Sequence, residues 1–146
     1  MEIKLYQNLQ VARKNKATVK MKVVTSIITA IQIEKAKDGR SSLADAEILM
    51  IIQRLIKQRR ESAKIFDEND RHDLADEELA QVWCLEPYLP AQLTDIELTK
   101  AVADTICKVG ASSLKDMGKV MGILSKELAG KADGKRISDQ VKLLLT

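Results

Sequence analysis

Between Leu43 and Phe66 the chain places Ile48, Leu49, Ile51, Ile52, Leu55, Ile56, Ala63 and Phe66 at helical spacing. At about 100° per residue these side chains form an apolar arc wider than one partner helix can cover. Such a helix is buried by several neighbours, so the spacing predicts the long central helix of a bundle. Arg54, Lys57, Arg60 and Lys64 gather on the opposite side as a basic face. Arg59 falls inside the apolar arc, near Ile52 and Leu55. An uncompensated charge there is costly, so Arg59 is predicted to be partly buried and paired with a carboxylate.

The rest of the chain repeats the helical period. Residues 3–16 carry Leu5, Leu9 and Ala12 on one side. Thr18 is a plausible N-cap for a second helix with Val23, Val24, Ile27, Ile28 and Ile31, ended by Asp38-Gly39. Ser42 with Asp45 resembles a capping box before the central helix. Asp73 is the expected cap of a fourth helix bearing Leu79, Val82 and Leu85, which Pro87 stops. Pro87-Tyr88-Leu89-Pro90 then reads as extended, because residues before proline leave the helical region. It divides the chain into domains at 1–90 and 91–146.

In the second part, Thr94-Asp-Ile-Glu97 is a full capping box for a helix with Leu98, Val102, Ile106 and Val109, closed by Gly110. Ser113-Leu-Lys-Asp116 opens the next helix, whose Leu114, Met117, Val120, Met121, Leu124 and Leu128 share one arc. Arg136 to Leu145 forms the last, with Ile137, Val141 and Leu144 inward. No period-two pattern occurs. The expected fold is all-α: an N-terminal four-helix domain and a small C-terminal three-helix domain. Aromatic residues are only 3% of the chain against 45% apolar, so the core is aliphatic, which favours helices over a β-sandwich.

Several chemistries find no support. Cys84 and Cys107 lack metal-ligand spacing, and the single His72 cannot complete a cluster. The cysteines read as two buried, reduced thiols, His72 as a surface turn residue, and the acidic run Asp67–Glu78 as a solvated helix start. Neither a metal nor a cofactor is expected. No apolar run approaches the ~20 residues of a membrane span, and no apolar stretch follows a basic start. A cytoplasmic protein with no membrane partner is the expectation.

Charge is uneven along the chain. Residues 1–66 hold fourteen basic and six acidic side chains, residues 67–109 three and eleven, and residues 110–146 seven and four. Opposite charges can dock segments on one another or leave a basic face for a polyanion. Glycine and lysine are densest from Gly110 to Lys135. In the helix there, Lys115, Lys119 and Lys126 fall on one narrow arc opposite the apolar side. Gly122 lies among them and Gly118 beside them. Glycine costs a helix about 1 kcal/mol relative to alanine, so two at this spacing ask for a reason. Close helix packing through Gly-x-x-x-Gly would turn them toward the core. Instead they face the lysines, as a bare strip open to a phosphate backbone would. The loop Gly130-Lys-Ala-Asp-Gly-Lys135 leads to a helix N-terminus, where an anion site or a simple connection are both open readings. Ile137 follows Arg136, so the phosphate-loop spacing of nucleotide hydrolases fails.

Five segments carry a resemblance: Lys57-Gln-Arg-Arg-Glu-Ser62, Asp73-Leu-Ala75, Tyr88-Leu-Pro-Ala-Gln-Leu93, Gly110 to Gly122, and Ala132-Asp-Gly-Lys135. In this order they resemble the YqeY family, whose C-terminal part is similar to the tail domain of GatB, a subunit of tRNA-dependent amidotransferases. In this chain Ser125-Lys126 follows the glycine helix, where the family has a proline-containing turn. The resemblance implies an all-α protein with a small C-terminal domain that contacts tRNA. It makes Lys115, Gly118, Lys119, Gly122, Lys131 and Lys135 candidates for RNA contact, with Lys126 added by the phasing. It also carries an association with glutamine-dependent carbon–nitrogen ligase activity. That activity belongs to the whole amidotransferase assembly, and this chain has no glutaminase Ser-Ser-Lys constellation and no ATP-binding motif. The expectation is a tRNA-binding accessory protein, non-catalytic by itself. The alternative is an adaptor that docks on an amidotransferase or aminoacyl-tRNA synthetase.

Overall fold

Four helices build the first part of the chain: α1 (Glu2–Lys14), α2 (Thr18–Asp38), α3 (Asp45–Glu68) and α4 (His72–Leu85). A 3₁₀ turn, Glu86–Tyr88, follows. The computed structural model describes all residues, Met1–Thr146, and its regular elements are helical throughout. The protein is therefore all-α. The chain divides into two compact units, Met1–Leu89 and Pro90–Thr146, and each has its own hydrophobic core.

In the first unit, α3 supplies Ile48, Ile51, Ile52 and Ile56 to the core, as its wide apolar arc requires. Leu5 and Leu9 of α1, Val23, Val24, Ile27 and Ile31 of α2, and Val82 and Leu85 of α4 complete it. The Gln32 amide donates to the Tyr6 hydroxyl at 3.0 Å, and Lys35 pairs with Glu2, so polar contacts also join α1 to α2. Gly39 takes the left-handed conformation at φ 62°, which ends α2 where the Asp38-Gly39 pair indicates.

Arg59 sits where the phasing puts it. Its side chain is 20% exposed, and its Nη1 lies 3.7 Å from Glu78 of α4. The pair is loose, and Arg59 Nε is buried without an acceptor. Beside it, Arg60 Nη2 lies 2.6 Å from Glu86. Part of the opposition between the basic first half and the acidic middle thus holds α3 against α4 and the turn that follows it.

The second unit holds α5 (Asp95–Val109), a 3₁₀ turn (Leu114–Asp116), α6 (Met117–Glu127) and α7 (Gly134–Leu145). Leu98 and Val102, Val120 and Leu124, and Ile137, Val141 and Leu145 meet in its core. The Thr94 box forms as its sequence indicates: Thr94 Oγ1 accepts from the Glu97 N–H at 3.2 Å, and Glu97 Oε2 accepts from the Thr94 N–H at 2.9 Å. Gly110 closes α5 at φ 68°.

Several local expectations give way. Ala17, not Thr18, occupies the N-cap of α2. The Ser42–Asp45 box does not form; the Ala44 N–H donates to Glu47 at 2.8 Å instead. Asp73 does not cap α4, because its carboxylate is held by Arg71 at 3.2 Å and the helix starts at His72. Pro87 lies in the 3₁₀ turn rather than an extended run: proline's fixed φ suits a first helical turn, where its missing N–H has no partner to lose. Leu79 is 45% exposed, and Leu145, not Leu144, fills the core. Neither thiol is fully buried; Cys107 is exposed and Cys84 half-buried. His72 is a surface residue, and its Nδ1 lies 2.8 Å from Asp67. No helix is long and apolar enough to cross a membrane.

Candidate nucleic-acid interface

The segment Ala111–Lys119 sets the geometry of the lysine face. Ser113 is extended, and the Ser112 and Ser113 N–H groups donate to Asp116 Oδ2 at 3.0 and 3.4 Å. These two donors hold the Asp116 carboxyl below its usual value, with a smaller contribution from Lys119. The clamp tightens the first turn into 3₁₀ form, so Lys115 belongs to that turn while Lys119 and Lys126 belong to α6. Leu114 is consequently 50% exposed instead of continuing the apolar arc of α6. A carboxyl with a depressed folded value stabilises above its unfolded value, and that contribution is lost as pH falls through the folded one. The Ser112 and Ser113 amide resonances are expected to titrate together in NMR, with a midpoint below that of an ordinary aspartate. A shared midpoint at or above that value would contradict the clamp.

Lys115, Gly118, Lys119, Gly122, Lys126, Lys131 and Lys135 are all exposed. None of the five lysines makes an ion pair within 4.0 Å. A Cβ added at Gly118 or Gly122 would meet no atom within 4 Å. The two glycines therefore have no packing role, and α6 carries its helix penalty on an open, cationic surface. The apolar side of the same helix is committed elsewhere, with Val120 and Leu124 buried and Met117 and Met121 packed against them.

The loop after α6 is structural in large part. Gly130 is buried at φ 77°, and its carbonyl accepts from the Gln92 amide at 2.6 Å. The Leu93 N–H donates to the Lys131 carbonyl at 2.9 Å. Arg136 Nη2 donates to the Leu93 carbonyl and to Asp95, each at 3.0 Å. Asp133 stands at the N-cap of α7, and a carboxylate there competes with an incoming anion. Lys131 and Lys135 are exposed at either side of this loop.

The basic face of α3 has a different character. Arg54 Nη1 lies 3.6 Å from Glu34 and Arg60 is held by Glu86, while Lys57 and Lys64 are exposed with no ion pair. Half of this face is neutralised by the unit's own carboxylates.

Helical phasing passes over one further basic region. From Ile3 to Ile33 the chain has no acidic residue, yet it carries Lys4, Arg13, Lys14, Lys16, Lys20 and Lys22. All six are exposed and free of ion pairs. The run is visible in the sequence as a gap between Glu2 and Glu34; its neighbours in space are not.

A search among curated proteins finds no match. A scan of protein families matches residues 2–145 to a family described as Yqey-like protein. Nearly the whole chain, both units included, is covered by that match, and the protein belongs to the YqeY family.

Proposed function

We propose that the C-terminal unit binds folded RNA of the tRNA class through Lys115, Gly118, Lys119, Gly122, Lys126, Lys131 and Lys135, and that the protein acts as a non-catalytic accessory factor. The observation that carries this reading is the pair of exposed, unpacked glycines beside lysines that have no carboxylate partner. Ammonium groups left unpaired attract phosphates and release counterions, and a backbone without side chains lets the polyanion approach. The resemblance to the GatB tail domain supplies tRNA as the ligand.

The unit's composition narrows the mode of contact. The four aromatic residues, Tyr6, Phe66, Trp83 and Tyr88, all precede Pro90. The C-terminal unit thus lacks the aromatic platform on which unpaired bases usually stack in single-strand recognition. Contact through phosphates and sugars along a structured RNA fits the surface.

The test is a titration of tRNA against the protein across ionic strength. If all five lysines engage, log affinity should fall with log salt at a slope of roughly −3.5 to −4.5. Salt-independent binding, or none, would remove the reading. A protein partner retained from nuclease-treated extract, together with no tRNA binding, would favour the adaptor.

The glycines give a second check. Gly118→Ala with Gly122→Ala should stabilise the unit by about 1 kcal/mol or somewhat more, with the larger share at Gly122, since Gly118 lies in the first turn. The same variant should bind tRNA more weakly. Stabilisation with unchanged affinity would mean that the bare strip is not used.

A further inference from the structure

A groove of about 680 Å³ opens in the N-terminal unit. One wall is α1, with Lys4, Asn8, Val11, Ala12 and Asn15; the other is the end of α4 and the turn after it, with Trp83, Cys84, Pro87 and Tyr88. Val23 and Val24 of α2, both buried, and Lys20 of the same helix also line the groove. From Met1 to Asn15 the lining runs about 21 Å along α1, at 1.5 Å per residue.

Three features distinguish it from a simple packing gap. First, Trp83 is the only tryptophan and stands 73% exposed on its rim. A tryptophan left this open is unusual, because its ring has more apolar surface to hide than any other side chain. Second, the lining holds cations and no carboxylate. Lys4 and Lys20 border the groove directly, and Lys16 lies between the lining residues Asn15 and Ala17. None of these three lysines makes an ion pair within 4.0 Å. Third, hydrogen-bonding groups stand among the apolar ones. The Asn8 amide donates to the Tyr88 hydroxyl at 3.0 Å, which joins α1 to the second wall, and the Asn15 side chain is exposed.

From these we infer that the groove takes unpaired nucleotides of an RNA, with a base stacked on Trp83 and phosphates held by Lys4, Lys16 and Lys20. Exposed aromatic faces beside unpaired cations are the elements of single-strand binding: stacking tolerates any base, and the cations follow the backbone. An acidic helical peptide would also satisfy the lysines. The open indole favours a base instead, since a flat π-face gains most from another flat ring. This site shares with the reading of the C-terminal unit only that its ligand is RNA, and it can fail or stand alone.

The lone tryptophan makes the site directly observable. The full chain, and a Lys115→Glu/Lys119→Glu form of it, are titrated with an unstructured oligouridine while Trp83 fluorescence is followed. Saturable quenching is expected in both, which separates this site from the C-terminal face. Trp83→Leu, followed by anisotropy of a labelled oligonucleotide, should lower affinity by about tenfold or more. Lys16→Glu with Lys20→Glu should lower it comparably and reduce the salt dependence. Circular dichroism of each variant confirms that the helices persist, and Trp83→Tyr, which keeps a stacking ring, should recover part of the affinity. An abasic oligonucleotide of the same length should bind more weakly and leave the fluorescence unchanged. Equal affinity for the abasic strand, loss of quenching in the C-terminal variant, or quenching by an acidic helical peptide with none by the oligonucleotide would each overturn the inference.

Discussion

Replacing Lys115 and Lys119 with glutamate is expected to weaken tRNA binding by roughly tenfold to a hundredfold at low salt and to flatten the log–log salt dependence by about 1.4–1.8. Both side chains are exposed and unpaired, so reversal breaks no native ion pair and should leave the helices intact. The substitution instead puts two carboxylates where the proposed phosphate path runs. The helix is not neutral to the change: Lys119 weakly favours the ionised Asp116, and glutamate there would oppose it. The comparison variant is therefore Lys115→Gln/Lys119→Gln, which removes charge without repulsion and should reach an intermediate affinity. Electrophoretic mobility shift with circular dichroism on the same samples decides the matter. Unchanged affinity in the folded glutamate variant would move the RNA site away from this face.

The second large effect concerns stability. Leu124→Ala is expected to cost about 2–5 kcal/mol, because Leu124 is 0% exposed and the lost methyl groups leave a cavity. A core as small as that of Pro90–Thr146 rarely supplies more than about 3–5 kcal/mol in total. The truncation should consequently unfold this unit while the Met1–Leu89 unit, with its separate core, persists. Trp83 lies in the first unit and is the only tryptophan, so its fluorescence reports on that unit alone. The expected result is partial loss of helical circular dichroism with native tryptophan emission. Simultaneous loss of both signals would show that the two units unfold as one.

How much of this was legible depended on what kind of interaction decides each feature. The seven helices follow from a 3.6-residue apolar period, which survives any tertiary context once one side must be buried. Arg59 was legible for the same reason: its phase put a charge against the core, and a carboxylate partner was the only low-cost answer. Helix ends were less legible where two local hydrogen bonds compete. Asp73 could cap a helix or hold Arg71, and the guanidinium wins. Thr105 of α5, a polar residue on which the apolar period is silent, is buried with its hydroxyl satisfied by the Ala101 carbonyl at 3.0 Å. A 3₁₀ turn at Leu114–Asp116 shifts the phase by less than a residue and was enough to expose Leu114.

The lysine–glycine surface was readable because it lies on one short segment, and phase alone orders its members. The groove beside Trp83 was not, because residues from three helices and a turn compose it. Its two ingredients, a run without acidic residues and a solitary tryptophan, sit about fifty positions or more apart in the chain, and only the tertiary fold joins them.

The division of the core has a consequence for biosynthesis. All of the helices that bury Ile27, Ile48 and Ile52 are complete by Leu89. The N-terminal unit can thus close its interior without any residue of the second unit, as domains that fold one after another during synthesis do. Once closed, that unit presents the acid-free cationic run and the open indole whether or not the glycine–lysine face has yet folded.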